Sequence, residues 1–344
     1  MIKFSHTSPK ILIIRFSSFG DIIKSSVLPR LLKTRFPGSS ITFITKSNFK
    51  ELIEYNTNID HKIYFDRKNL CLDPLRLLSL RKLILKEQYD IIIDAHSNLR
   101  SRIISSFINP SFHARYSKPR FRRALLFLLN INLLSNVKTL EYEFYKLIKP
   151  LDIKYDENGA DLFFNPNFNY TGILKKHTLL ENNYICLVPG AAWPGKQLNK
   201  AVYTELISMI NSHKSNLKIV LLGGEKEIKG NNSITGSNII NLTNKLNLLE
   251  SIFIASKSTL TIGSDTGLIH GAEAAGGKIA VFLGPTSRET GALPSKKGSI
   301  VFEKKLFCRP CSKNGSAPCL WKFGKRPCLN FSALEIFSVI KNII

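Results

Sequence analysis

The sequence predicts an α/β chain of two Rossmann-like, parallel-sheet domains facing a cleft. Three observations carry this. Strand-like runs alternate with helical ones along the chain, at the spacing of βαβ units. Runs such as Tyr89–Asp94 are almost continuously apolar, as strands buried on both faces of a parallel sheet are. A polar, Asn-rich stretch, Asn158–Asn169 with Pro166, interrupts the pattern and is the best linker. It divides the chain into domains 1–165 and 166–344, with the last helix free to pack back on the first. Ligands of such folds bind where the halves meet.

In order, Ile11–Phe16 reads as a strand, followed by a Ser/Gly loop. Apolar residues at Ile22, Ile23, Val27, Leu28, Leu31 and Leu32 then fit a helix ended by Pro37-Gly38. Pro29 inside that pattern means a kink or a later start. Ile41–Thr45 is the next strand. In the second half the strands are Tyr184–Val188, Lys218–Leu222, Ile239–Leu242, Thr259–Ile262 and Ile279–Leu283. Helical stretches such as Ala201–Ile210, Leu248–Ala255 and Leu268–Ala275 lie between them.

The chain has 344 residues, 44% hydrophobic, enough for two cores. Met1–Arg15 lacks an apolar segment followed by a small-residue cleavage site, so no secretory signal is expected. The longest apolar run, Ala124–Leu134, is broken by Asn130 and Asn132 and falls short of the ~20 residues a spanning helix needs. A formal charge of +24 implies an anionic partner: nucleic acid, an anionic membrane surface or a phosphorylated substrate. Zinc-finger, RRM and KH signatures are missing and the basic residues are scattered, so no nucleic-acid partner is expected.

Three segments could carry chemistry. Ser17-Ser18-Phe19-Gly20-Asp21 follows the first strand and opens a helix. Asp21 there is either a helix cap or a carboxylate facing the cleft that accepts a proton. Pro189–Lys196 follows a strand, is shaped by small residues and two prolines, and ends on a lysine suited to phosphate. Gly263-Ser264-Asp265-Thr266-Gly267-Leu268-Ile269-His270 puts Asp265, Thr266 and Gly267 at a helix head and His270 one turn later. Such amides and hydroxyls can hold a pyrophosphate. No GxGxxG follows the first strand and no GxxxxGK[ST] occurs, which argues against dinucleotide oxidoreductases and P-loop nucleotidases.

Phe19-Gly20-Asp21, the loop Gly190–Lys196, Leu222-Gly223-Gly224, Gly263–His270 and Phe282–Thr286 occur in that order. Together they resemble the heptosyltransferase family, glycosyltransferase family 9, from about Ile11 to Cys328. The resemblance implies the GT-B architecture and inverting transfer of heptose from ADP-heptose to a lipid A-core acceptor, with no cofactor. It implies Asp21 as base and Lys196 as the charge on the donor pyrophosphate. Gly190, Asp265, Thr266, Gly267 and His270 would line the donor site. On the acceptor side stand Asp94, Ser97, Arg100 and Arg120. An enzyme of this kind works in the cytoplasm, peripheral to the inner membrane. After Lys196 the family has a basic residue and Trp-Pro, where this chain has Gln197-Leu198-Asn199. Alternatives are the same fold with another nucleotide sugar, and a glycan-binding member without transfer.

Cys308, Cys311, Cys319 and Cys328 could be reduced thiols or a structural Cys₄ metal site, although their spacing is irregular. Arg100, Arg102, Arg115, Lys118, Arg120, Arg122 and Arg123 precede Ala124–Leu134. They form either a solvated basic face or a surface that meets anionic lipid.

Overall fold

The computed structural model describes residues 7–66, 74–106, 108–129, 131–134, 138–312, 315–316, 319 and 326–344. The chain divides into two units, Met1–Pro119 with Leu140–Asn165, and Arg120–Thr139 with Pro166–Ile344.

The first unit carries strands β1 (Lys10–Ile14), β2 (Ser40–Lys46), β3 (His61–Phe65), β4 (Ile91–Asp94) and β5 (Phe112–Arg115). They pair in parallel in the order β3-β2-β1-β4-β5. Ile11 to Ile14 have no exposed surface, the consequence of helices covering both faces of a parallel sheet. The order reverses between β1 and β4, which opens a crevice at their carboxyl ends. The segment after β1 forms two helices, Phe19–Lys24 and Val27–Arg35, separated at Ser25-Ser26. Pro29 stands in the first turn of the second helix, where its missing N–H costs nothing. The stretch expected as a linker is fastened at its start: Arg30 holds Asp156, the carbonyl of Gly159 and Asp161. The chain leaves this unit at Asn165-Pro166.

The second unit carries β6 (Tyr184–Val188), β7 (Lys218–Leu221), β8 (Ile239–Asn241), β9 (Leu260–Ser264), β10 (Ile279–Leu283) and β11 (Ile300–Glu303). Their parallel order is β11-β10-β9-β6-β7-β8, with the reversal between β6 and β9. Leu187, Tyr203, Leu206, Ile262 and Phe282 are part of its core. Gly263 allows the pairing at the reversal, since a Cβ there would stand 2.3 Å from the Val188 carbonyl oxygen. The last helix, Ala333–Ile340, packs on the helix Lys200–His213 of this same unit. Its Ile336 and Ile340 enter the second unit's core, which fixes its place. Among the described residues no helix is long and apolar enough to cross a membrane.

Lys24, one turn after Asp21, forms a buried ion pair at 3.5 Å with Glu141 of the helix Leu140–Ile148. Both side chains are almost wholly buried, so removing either one breaks a buried ion pair. Glu141→Ala is expected to destabilise the protein by about 3 kcal/mol in urea unfolding. The double variant Lys24→Met/Glu141→Leu should recover most of that loss.

Candidate functional site

The loops that leave β1 and β4 meet at the first reversal. Arg15, just beyond β1, is 4% exposed. It donates to the carbonyl of Ala95, beyond β4, and to Asp21 Oδ2, and its guanidinium lies 5.4 Å from the Phe144 ring centre. Asp21 Oδ2 also accepts from the Ser18 amide at 3.2 Å and from its hydroxyl at 3.0 Å. Asp21 is therefore both a helix-end acceptor and a carboxylate paired with a buried cation. Its side chain keeps 28% of its surface exposed, so a substrate hydroxyl can reach it.

Asp94 lies elsewhere in the economy of this loop. It is fully buried and accepts from the amides of His96 and Ser97, the Ser101 hydroxyl and Arg115 Nε. These contacts occupy the carboxylate and shape the loop. Ser97, at φ 53°, is buried in the same turn. Arg100 is half-buried on the following helix, Leu99–Ile104. Arg120 is exposed and belongs to the second unit.

His96, between Asp94 and Ser97, is 9% exposed and packs on Phe16 with ring centres 4.9 Å apart. Its Nδ1 is buried without a hydrogen-bond partner. Burial, with the positive charges of Arg15 and Lys118 against the pull of Asp21, pushes its pKa down to about 3. The imidazole is neutral at physiological pH.

In the second unit the loops after β6, β9 and β10 converge on one carboxylate. Asp265 Oδ2 takes Lys196 Nζ at 2.6 Å and the Thr286 hydroxyl at 3.1 Å. Oδ1 faces His270 Nε2 at 2.9 Å. Burial alone would raise the Asp265 pKa, but the His270 hydrogen bond and the Lys196 charge hold it well below the usual carboxylate range. The shared helix face expected for Thr266 and His270 works differently here. His270 sits buried beneath Asp265, and Thr266 caps the helix Gly267–Ala274 by accepting from the Ile269 amide. The first-turn amides of Gly267 and Leu268 have no acceptor within the helix.

Beside this cluster opens a cavity of about 750 Å³ lined by Gly190, Pro194, Gly224, Glu227, Thr266 and Leu268, among others. Gly190 is required there: a Cβ would stand 2.1 Å from Glu227 Cγ. Glu227 accepts from the Gly224 amide at 2.9 Å. The sequence reading did not single out Glu227 or Thr286. Only the loop Leu222-Gly223-Gly224 and the segment Phe282–Thr286 signalled where they would lie.

Cys308, Cys311, Cys319 and Cys328 are all free thiols. Among the described residues no group of three or more His, Cys, Asp or Glu could hold a metal. Cys328 is buried in the apolar core with Leu329 and Phe331. Between Cys308 and Cys311, it is Arg309 that turns inward, onto the carbonyls of Leu283, Gly284, Thr286 and Lys304.

Among solved structures the chain is similar to a family 9 glycosyl transferase from Veillonella parvula, with a TM-score of 0.77, 17% identity and 97% of both chains covered. It is also similar to E. coli ADP-heptose LPS heptosyltransferase II, with a TM-score of 0.70, 18% identity, and 97% and 98% covered. E. coli heptosyltransferase WaaC with ADP-2-deoxy-2-fluoro heptose gives 0.66, 17%, and 97% and 100%. These likenesses establish the GT-B fold. No curated protein sequence matches. The model of glycosyltransferase family 9 (heptosyltransferase) matches residues 77–321, and the chain therefore belongs to that family of enzymes.

Proposed function

We propose that the protein transfers heptose from ADP-heptose, with inversion, to an inner-core sugar of a lipid A-core acceptor at the inner membrane's cytoplasmic face. The observation that carries the reading is the Asp265-centred cluster beside the cavity in the second unit. Lys196 and the first-turn amides of Gly267–Ala274 supply positive charge for a pyrophosphate. The cavity suits the nucleoside, with Glu227 available to ribose hydroxyls and Leu246, Leu248 and Leu268 to the base. The second unit is thus the donor domain and the first the acceptor domain. The solved relatives described as ADP-heptose heptosyltransferases support the choice of donor.

Transfer is a single displacement. The acceptor oxygen bonds to the anomeric carbon as the bond from that carbon to the pyrophosphate oxygen breaks. The acceptor proton passes to Asp21 and the electron pair leaves with ADP. Proton transfer to Asp21 occurs as the attacking hydroxyl becomes acidic in the transition state. Its fixed negative charge also favours the oxocarbenium-like state, and Lys196 stabilises the charge that grows on ADP. Asp265 aligns Lys196 and binds no substrate itself. Ser97, Arg100 and Arg120 are the groups for phosphates or hydroxyls of the acceptor.

Asp21→Asn should lower kcat by about 10²–10⁴-fold while ADP affinity, read by calorimetry, stays within about twofold. Lost ADP binding in that variant would refute the role of Asp21. Calorimetry with ADP-heptose, ADP, UDP and GDP should show selectivity for the adenine nucleotides, weakened at least ~10-fold in Asp265→Asn. Preference for UDP or GDP would move the function to another sugar donor.

His96 provides a pH signature of the acceptor side. Its folded pKa lies below its unfolded value, so the unfolded chain binds more protons between about pH 3 and pH 6.5. Its contribution is complete above pH 6.5 and is lost as pH falls through that window. The urea midpoint should therefore drop between pH 7 and pH 5 more steeply in the wild type than in His96→Gln. Parallel slopes would show that His96 is not held neutral.

A further inference from the structure

The helix Arg120–Leu129 presents an apolar face that the proposed reaction does not use. The helix Arg120–Leu129 belongs to the second unit and places Phe121, Leu125, Leu128 and Leu129 on one stripe, at i, i+4, i+7 and i+8. That stripe points outward. Phe121 is 74% exposed, Leu128 81% and Leu129 63%, and Ile131 and Leu133 extend the exposed surface. The opposite side holds the helix in place through buried Leu126. At the far end Leu134 is buried and Asn132 reaches Glu289. Five large exposed apolar side chains within thirteen residues are more than scattered surface leucines, and a contiguous patch of this kind marks an interaction site.

Charge identifies the partner. Arg120 and Arg122 precede and follow Phe121, and at 100° per residue they flank the stripe on both sides. No acidic residue occurs between Arg120 and Leu134. A second copy of the chain bound through this same face about a two-fold axis would bring the arginines no carboxylate from this segment. An anionic lipid surface meets both features at once: phosphates for the arginines and an acyl region for the leucines.

We propose that the helix Arg120–Leu129 is an interfacial anchor, lying in the headgroup plane of an anionic bilayer with Phe121, Leu125, Leu128 and Leu129 turned into the acyl boundary. The use of this anchor, bringing the enzyme to a membrane-borne acceptor, rests on the function proposed above; the binding itself does not.

The test is sedimentation of the full chain with phosphatidylcholine vesicles that contain phosphatidylglycerol, and with phosphatidylcholine alone. The wild type should partition onto the anionic vesicles, less so as salt is raised. The triple variant Phe121→Ser/Leu128→Ser/Leu129→Ser should bind at least ~30-fold more weakly and still bind ADP like the wild type. In a separate variant, Phe121→Trp, emission should shift to the blue on anionic vesicles, a readout that survives any misfolding of the triple variant. The anchor is refuted if the wild type ignores anionic vesicles, if the triple variant binds as well, or if the tryptophan emission stays put. It is equally refuted if the wild type sediments as an oligomer that the triple variant breaks up. Failure of the wild type to bind ADP would count against the proposed transfer and leave the vesicle result standing.

Discussion

The reversal of strand order between β6 and β9 is the constraint on which the donor-side geometry depends. Neighbouring parallel strands send their following segments to opposite faces of the sheet at such a point, and a crevice opens between them. Here the loop Pro189–Lys196 leaves on one side and the helix Gly267–Ala274 on the other. Gly263 lets the two backbones approach closely, and Asp265 follows two residues later to collect Lys196 from across the gap. A side chain at position 263 would push β9 from Val188 and separate that pair.

Three aspartates at strand ends show how surroundings decide what a carboxylate does. Asp94 is saturated by two amides, a hydroxyl and Arg115, so it serves as a fixed post for its loop. Asp265 is buried too, but its partners come from three different loops, which makes it a clamp. Asp21 keeps an exposed edge and is held from behind by Arg15, an arrangement that leaves room for a reacting group. Arg309 plays the complementary part, using one guanidinium to gather the carbonyls at the end of β10 beside Thr286.

The central strands were legible in the sequence because burial on both faces leaves continuous apolar runs, as in Tyr184–Val188 and Ile279–Leu283. β3, β5 and β11 were not, for they are sheet edges with half-buried, mixed side chains such as those of His61–Phe65. Lys196 and Asp265 could be read from their loops, and the structure brings them together. Their partner Thr286 lay hidden, because a contact across 21 residues leaves no local pattern. The donors that fill the Asp94 carboxylate were hidden for a related reason, since Ser101 and Arg115 lie 7 and 21 residues away in the chain. Pro29 pointed to an interruption in the first helix, and the chain meets it with two helices instead of one bent one.

The Lys196–Asp265 pair bears on which anions the enzyme can ignore. Before any donor arrives, the ammonium already has a carboxylate at 2.6 Å, tethered to the same scaffold. A tethered partner acts at a high effective concentration, far above that of free chloride or a stray carboxylate in the cell. Small monovalent anions therefore compete poorly for Lys196. A ligand with two linked phosphates that met the helix amides and the lysine together would share the ammonium without having to displace Asp265 outright. The internal counter-ion works as a threshold, admitting ligands that bring several charges at the spacing of the site.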